Sequence, residues 1–142
     1  HWKYNVEDNV YAIMSTKKGV VGMLNSSATQ WRHRFNLDIN LEHGSIILGG
    51  ILTSSKSYGE ETLTIINSDP VNDKGNPKEH IVSYAVDPSW DEEIKSFINC
   101  IKYNKPIENG SSFEALQTMK QVFRIYYADP KWRKKYSIKN PD

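Results

Sequence analysis

Ser89-Trp90-Asp91-Glu92-Glu93-Ile94 is the stretch at which the chain changes from a strand pattern to a helix pattern. Ser89 and Glu92 have the spacing of a capping box, in which side chains satisfy the free amides of the first helical turn. Apolar residues then recur every three or four positions. We predict an amphipathic helix that begins at Ser89 and ends near Asn104, since Pro106 disfavours helical geometry in the residue before it.

A second helix is predicted by the same signals. Ser111 and Glu114 repeat the capping box, and the helix is expected to end before Asp129-Pro130. On both helices the spacing of the apolar residues is typical of core packing and not of an aromatic box for a ligand. These residues are Trp90, Ile94, Phe97, Ile98 and Ile101 on the first helix and Phe113, Leu116, Met119, Val122, Phe123 and Tyr126 on the second.

The chain before Pro88 follows a strand pattern. The clearest strand runs from Phe35 to Leu41, where apolar and polar residues alternate strictly, so we expect one buried and one solvated face. The cluster Lys17-Lys18-Gly19 predicts the turn of a hairpin. Further strands are predicted over residues 9–15, 20–29, 45–48, 61–67 and 80–86.

Strands first and helices afterwards indicate an α+β fold. Because the connections are short, we expect about six strands in one mostly antiparallel, open-faced sheet, with the helices packed on one face. The length of 142 residues, 38% of them hydrophobic, is enough for one domain with a core and short for two. Residues 1–142 are therefore predicted to form a single domain.

Charge and cysteine content restrict the partners and the compartment. The net charge of +1 gives no large field of one sign, so we expect neither a nucleic-acid nor a membrane partner. The basic stretch Lys131–Tyr136 is interpreted as a solvated helix end or terminal segment. A single cysteine, Cys100, and the absence of a long apolar run or leader predict a cytoplasmic protein. Since the chain begins at His1, we expect natural sequence to precede it.

Site chemistry is sparse in this sequence. The four histidines lie in separate segments without a metal-ligand spacing, and no G-x-S-x-G elbow is present. One cluster stands out, formed by Trp31, Arg32, His33 and Arg34 at a predicted strand junction. Guanidinium groups suit carboxylate or phosphate, and an indole stacks on sugar rings or cations. We predict these four residues as a substrate-binding site; the alternative is an exposed strand end used in a subunit contact.

Several segments, taken in order, resemble the C-terminal domain of the Gfo/Idh/MocA oxidoreductases, NAD(P)-dependent dehydrogenases that act mostly on sugars and cyclitols. The resemblance extends from about Glu7 to Tyr127. Its specificity comes from the order and spacing of the segments. They are Asp8-Asn9-Val10-Tyr11-Ala12, Gly19-Val20-Val21-Gly22, Phe35–Leu41 followed by Gly44-Ser45, and Trp90–Tyr127.

The resemblance also implies which parts of an enzyme are missing. In the family, an N-terminal Rossmann domain supplies a Gly-rich cofactor turn and a Glu-Lys-Pro lysine, and a D-x-x-x-H motif supplies a catalytic histidine. This sequence contains none of these motifs, and Lys105 in Asn104-Lys105-Pro106 lies between two predicted helices. We therefore expect no catalytic residue, no metal site and no bound cofactor in this chain, with NAD or NADP used by the intact enzyme.

The resemblance implies that this domain forms one wall of the substrate pocket for a sugar-like molecule and, through the open sheet face, a homo-oligomer interface. On its own it is expected to be inactive, with the Rossmann domain as its missing partner. Two alternatives stay open: a free-standing α+β ligand-binding module and a purely structural dimerisation module. The sequence does not decide between NAD and NADP, nor does it give the substrate or the number of subunits.

Overall fold

The structure is a computed structural model that describes residues 5–53, 57–69, 71–72 and 74–142. Within those residues the strands come first and the helices follow, which confirms the α+β class. The strands are β1 (Asn9–Ser15), β2 (Val21–Ser27), β3 (Asn36–Leu41), β4 (Gly44–Gly49), β5 (Glu61–Asn67) and β6 (Glu79–Tyr84). The helices are α1 (Ser89–Tyr103), α2 (Ser112–Ala128) and α3 (Pro130–Tyr136).

The described strands are divided between two sheets. Strands β1 and β2 form a two-stranded sheet, and the other four form an antiparallel sheet in the order β3-β4-β5-β6. The predicted strand number is confirmed, whereas the single six-stranded sheet is replaced by two sheets. The hydrophobic period identifies strands but does not say which of them are neighbours.

The four-stranded sheet has two chemically different faces. Residues that lie opposite each other in an antiparallel ladder share a face, and Leu37, Leu48, Leu63 and Val82 form one such row across all four strands. The next row on the same side contains Ile39, Ile46 and Ile65, and we call this side of the sheet the apolar face. The apolar face carries Leu37, Ile39, Ile46, Leu48, Leu63, Ile65 and Val82, together with His80. The opposite face, which we call the polar face, carries Asn36, Asp38, Asn40, Thr62, Thr64 and Ser83, together with Ile47, Ile66 and Ile81.

The apolar side chains of the described chain remain accessible, and none of the described residues is buried. On β3, Leu37 is 43% exposed and Ile39 is 37% exposed, so the face predicted to be buried is uncovered within its own sheet. The apolar residues along α1 are exposed as well, and Ile101 is 68% exposed. Because aliphatic side chains of this size normally lie in a core, these surfaces are suited to contact another surface.

The β1–β2 turn lies at Lys17-Lys18-Gly19, as predicted. The amide of Thr16 donates to the carbonyl of Val20 over 2.9 Å, and the amide of Gly19 donates back to the carbonyl of Thr16 over 3.0 Å. Gly19 has φ 85°, a conformation that a residue without Cβ adopts at little cost. The two lysines stand exposed beside it.

The two predicted capping boxes have different outcomes. At α2 the box forms: the Ser111 hydroxyl accepts from the Glu114 amide over 3.3 Å, and Glu114 Oε2 accepts from the Ser111 amide over 2.9 Å. At α1 the amide of Glu92 donates to the carbonyl of Pro88, so Ser89 is already inside the first turn. The Asp87 carboxylate accepts from the Ser89 amide over 3.0 Å and takes the capping role instead.

The short helix α3 was not predicted. Asp129 ends α2 and begins α3, where its Oδ1 accepts from the amides of Lys131 at 2.8 Å and Trp132 at 2.9 Å. Pro130 occupies the first turn, a favoured position because a proline there lacks only an amide hydrogen that would be unpaired. Among the described residues, no helix combines the length and the apolar content of a membrane span.

The chain divides into two compact units. The first comprises Ser27–Glu92 and contains the four-stranded sheet. The second comprises Asn5–Ser26 and Glu93–Asp142, and contains most of the hairpin and the helices. The single-domain organisation over residues 1–142 stays a prediction.

In the second unit, side chains distant in sequence connect the start of the chain to α2 and α3. The hydroxyl of Tyr136 donates to the carbonyl of Asn5 over 2.9 Å, and Lys135 Nζ donates to Asn5 Oδ1 over 3.0 Å. The hydroxyl of Tyr126 donates to the carboxylate of Glu7. This hydrogen bond lowers the pKa of Glu7 and raises the pKa of Tyr126.

Candidate functional site

The four residues predicted as substrate-binding lie in the first unit, in irregular chain between β2 and β3. This position agrees with the predicted strand junction. Trp31, Arg32, His33 and Arg34 are all exposed, and the indole of Trp31 is 100% exposed. The chain therefore presents an aromatic ring, two guanidinium groups and an imidazole directly to solvent, next to the start of β3.

His33 fixes this segment to a distant part of the first unit. Its Nδ1 lies 3.1 Å from the hydroxyl of Ser57, in a hydrogen bond whose direction depends on the imidazole tautomer. Its ring also packs against Tyr58, with centroids 5.0 Å apart and planes tilted by 48°. Because His33 lies between Arg32 and Arg34, these contacts restrict the backbone that carries both guanidinium groups.

The two arginines have no acidic partner within the described part of the chain. Among those residues, Arg124 forms an ion pair with Asp142, and this pair lies in the second unit. As far as the described residues go, the guanidinium donors of Arg32 and Arg34 are open to water or to a ligand. A guanidinium group presents five donors in a planar fork that matches the oxygens of a carboxylate or phosphate.

A cleft of about 230 Å³ lies at the edge of the sheet where β3 and β5 begin and β4 and β6 end. We call it the edge cleft. Its lining includes the aromatic residues Phe35 and Tyr84 and the carboxylate-bearing residue Glu61. Phe35 follows Arg34 directly, and Glu61 lies three residues after Tyr58. Both chain segments that meet at His33 therefore continue into the edge cleft. The full lining is Phe35, Leu48, Gly50, Ile51, Glu61, Thr62, Leu63 and Tyr84.

The cleft is shaped by close backbone packing. The amide of Gly50 donates to the carbonyl of Phe35 over 3.0 Å, and Glu61 Oε2 accepts from the amide of Leu52 over 2.8 Å. A Cβ placed on Gly50 would lie 2.0 Å from the carbonyl oxygen of Glu60, and Gly50 has φ 73°. Only glycine lets the chain pass this point, so Gly50 holds the floor of the edge cleft in place.

No protein-family model matches the chain, and no significant match was found among curated proteins or solved structures.

The exposed cationic and aromatic groups of the segment Trp31–Arg34 have the chemistry of a binding surface. Among the described residues no group of three or more His, Cys, Asp or Glu side chains could hold a metal ion. The pair formed by His33 and Ser57 has the contact of a base and a nucleophile, but no carboxylate of the described chain orients the imidazole. A general base needs such an orienting partner to act efficiently.

Sequence reasoning missed Ser57, Tyr58, Glu61 and Tyr84 as neighbours of the predicted site. Tyr84 is brought to the cleft by strand pairing, since it lies opposite Glu61 in the register of β5 and β6. Register depends on the pairing of whole strands and is not readable from a single segment. The histidine contact to Ser57 spans 24 residues and leaves no local pattern.

Proposed function

We propose that this chain is the C-terminal, substrate-binding domain of a Gfo/Idh/MocA-like NAD(P)-dependent oxidoreductase that acts on a sugar or cyclitol derivative. The observation that carries the proposal is the edge cleft, whose lining residue Phe35 directly follows Trp31–Arg34 in sequence, in an α+β chain whose strands precede its helices. Polar and aromatic groups that converge on a concave site are the usual features of small-molecule recognition.

In this proposal the chain supplies one wall of the pocket and no reacting group. Trp31, Arg32, His33 and Arg34 contact the substrate, while a Rossmann domain outside this chain supplies NAD or NADP and the catalytic residues. Hydride transfer needs a nicotinamide held against the substrate carbon and a proton acceptor beside the hydroxyl. The isolated chain is then inactive, and the intact enzyme works in the cytoplasm.

The test begins with the coding sequence upstream of His1. A strand followed by G-x-G-x-x-G, with Glu-Lys-Pro and D-x-x-x-H further on, is the expected result. The full-length protein should then reduce NAD or NADP with a sugar from a panel of aldoses, uronates and cyclitols. In calorimetry, the chain of residues 1–142 should show no saturable NAD(H) binding, and micromolar binding would contradict the proposed division of labour.

The part of the apolar face that lies outside the edge cleft, including Leu37 and Ile39, supports a further part of the proposal, a homo-oligomer formed through the four-stranded sheet. Its side chains are uncovered within the first unit, as the 43% exposure of Leu37 illustrates. Large contiguous apolar patches mark association surfaces in soluble proteins. Leu37→Asp with Ile39→Asp should shift the sedimentation equilibrium toward monomer, while the matched change Asn36→Asp with Asn40→Asp on the polar face should not.

The same apolar face favours a second candidate, a dimerisation module without an enzymatic role. The two candidates differ in their response to small molecules. Concentration-dependent dimerisation with no thermal shift from any sugar, and an upstream sequence without a cofactor motif, would favour the module. A sugar-dependent thermal shift in the chain alone would instead favour a ligand-binding function.

A further inference from the structure

We propose that Arg32, His33 and Arg34 bind the acidic group of a monosaccharide ligand, a carboxylate or a phosphate, at the mouth of the edge cleft. This inference rests on the proposed function and deepens it, because it names the class of sugar that the pocket wall selects. It follows from three features of the first unit: uncommitted cations, a fixed frame that carries them, and a small cleft lined with aromatic rings.

The cations are uncommitted because neither guanidinium group has an ion-pair partner within residues that the structure describes. Glu61, the acidic residue in the lining of the edge cleft, already accepts a hydrogen bond from the amide of Leu52 at 2.8 Å. Two guanidinium groups that approach one ligand repel each other unless an anion or solvent lies between them. Paired with a carboxylate or phosphate, each forms charge-assisted hydrogen bonds of bidentate geometry.

The frame distinguishes these cations from other exposed ones. His33 is held on one side by the Ser57 hydroxyl at 3.1 Å and on another by the Tyr58 ring at 5.0 Å. Ordering a binding loop before the ligand arrives lowers the entropic cost of binding. The lysines at positions 17 and 18 lack such contacts and stand at the tip of the hairpin turn, so they provide a natural control.

The cleft indicates the size and the body of the ligand. Its volume of about 230 Å³ lies below the range of about 300–1,000 Å³ typical of drug-sized ligands, which favours a single sugar ring. The aromatic residues Phe35 and Tyr84 line the cleft, and the indole of Trp31, close to Phe35 in sequence, is fully exposed. Aromatic faces pack against the apolar C–H face of a pyranose, while the arginines take its acidic substituent.

The experiment is an NMR titration of the amide spectrum of the full 142-residue chain with glucuronate, glucose 6-phosphate and glucose. We expect the acidic sugars to shift amides of residues 31–35 and 57–61 saturably, and glucose to bind at least about tenfold more weakly. Glucuronate against glucose 6-phosphate tells which acid group is preferred. Saturable binding of either one supports the proposal.

Matched variants test the assignment. Arg32→Gln with Arg34→Gln should weaken acidic-sugar binding about tenfold or more, and Lys17→Gln with Lys18→Gln should leave it unchanged. Arg32→Lys with Arg34→Lys keeps the charge but loses the planar fork, so it should give an intermediate loss. Equal binding of glucose, no saturable binding of either acidic sugar at millimolar concentration, or equal losses in both Gln pairs would overturn the proposal.

The full-length protein separates this inference from the proposed function. Oxidation of neutral sugars only, with kcat/KM unaffected by Arg32→Gln and Arg34→Gln, would refute the acidic-sugar assignment and leave the dehydrogenase proposal standing. Saturable acidic-sugar binding by a protein without NAD(P)-dependent activity would refute the dehydrogenase and leave the ligand class standing.

Discussion

Different kinds of contact stabilise the inside of each of the two units. In the first, β3–β6 are joined by an antiparallel backbone ladder in which each strand pairs with the next along the chain. In the second, side-chain hydrogen bonds cross 119 residues between Glu7 and Tyr126 and 131 residues between Asn5 and Tyr136. A backbone ladder tolerates most side-chain changes, whereas contacts between side chains depend on the identity of single residues.

The first unit should therefore be most sensitive at its glycines. Gly50→Ala would place a Cβ 2.0 Å from the Glu60 carbonyl oxygen, and we expect a loss of about 3 kcal/mol or more in the free energy of unfolding. Gly59→Ala is the matched control, since Gly59 also has positive φ but nothing lies within 4 Å of its new Cβ. It should cost about 1 kcal/mol. Urea unfolding with hydrogen exchange over β4 and β5 measures both, and equal losses would refute the steric argument.

The second unit should be most sensitive at Asp129, the residue that ends α2 and caps the start of α3. Asp129→Ala removes the acceptor of the Lys131 and Trp132 amides, and we expect a loss of about 1–2 kcal/mol. Asp129→Asn keeps an acceptor and should recover most of it. Thermal unfolding followed by circular dichroism provides the measurement. A similar loss for both variants would show that the charge, and not the cap, is responsible.

The two helix starts give a sharper comparison inside the chain. Ser111→Ala removes the cap of α2 and should cost about 1 kcal/mol, while Ser89→Ala should cost less because Asp87 caps α1. The measurement is the midpoint of thermal unfolding for each single variant and for Asp87→Ala. A larger effect of Ser89→Ala than of Ser111→Ala would mean that the sequence-predicted box at α1 operates after all.

The smallest expected effect is a pH dependence of the second unit. The pKa of Glu7 is lowered in the folded chain by the Tyr126 hydroxyl, so its contribution is present above the usual pKa and is lost as pH falls through the lowered value. The pKa of Tyr126 is raised, so its contribution is lost again as strongly alkaline pH passes that value. Tyr126→Phe should reduce both the loss of stability at low pH and the loss at high pH. Urea unfolding at a series of pH values measures both losses. If the pH dependence of stability is the same in this variant, other titrating groups are responsible for it.

The elements that the sequence predicted correctly are those that depend on residues close together in the chain. The alternation of Phe35–Leu41 produced β3 and its two faces, and Ser111 with Glu114 produced the cap of α2. The helix α3 was missed although Asp129-Pro130 contains its signal, because the pair was interpreted only as the end of α2. The position of Trp31–Arg34 between two strands was predictable for the same local reason.

What could not be predicted depends on pairing across the chain. The division into two sheets follows from which strands are neighbours, and the hydrophobic period contains no such information. The contact between His33 and Ser57 and the placement of Tyr84 opposite Glu61 arise in the same way. Sequence therefore indicated the cationic segment, and the structure added the cleft to which it leads.

Asp129 has one more consequence, for the length of the helical rod. Without the break at Asp129-Pro130, α2 and α3 would join into one continuous helix from Ser112 to Tyr136, about 37 Å long at 1.5 Å per residue. Such a rod would carry Tyr136 away from Asn5, whose carbonyl now accepts its hydroxyl. The break at Asp129 thus changes the direction of the chain, so that α3 contacts Asn5, the first described residue.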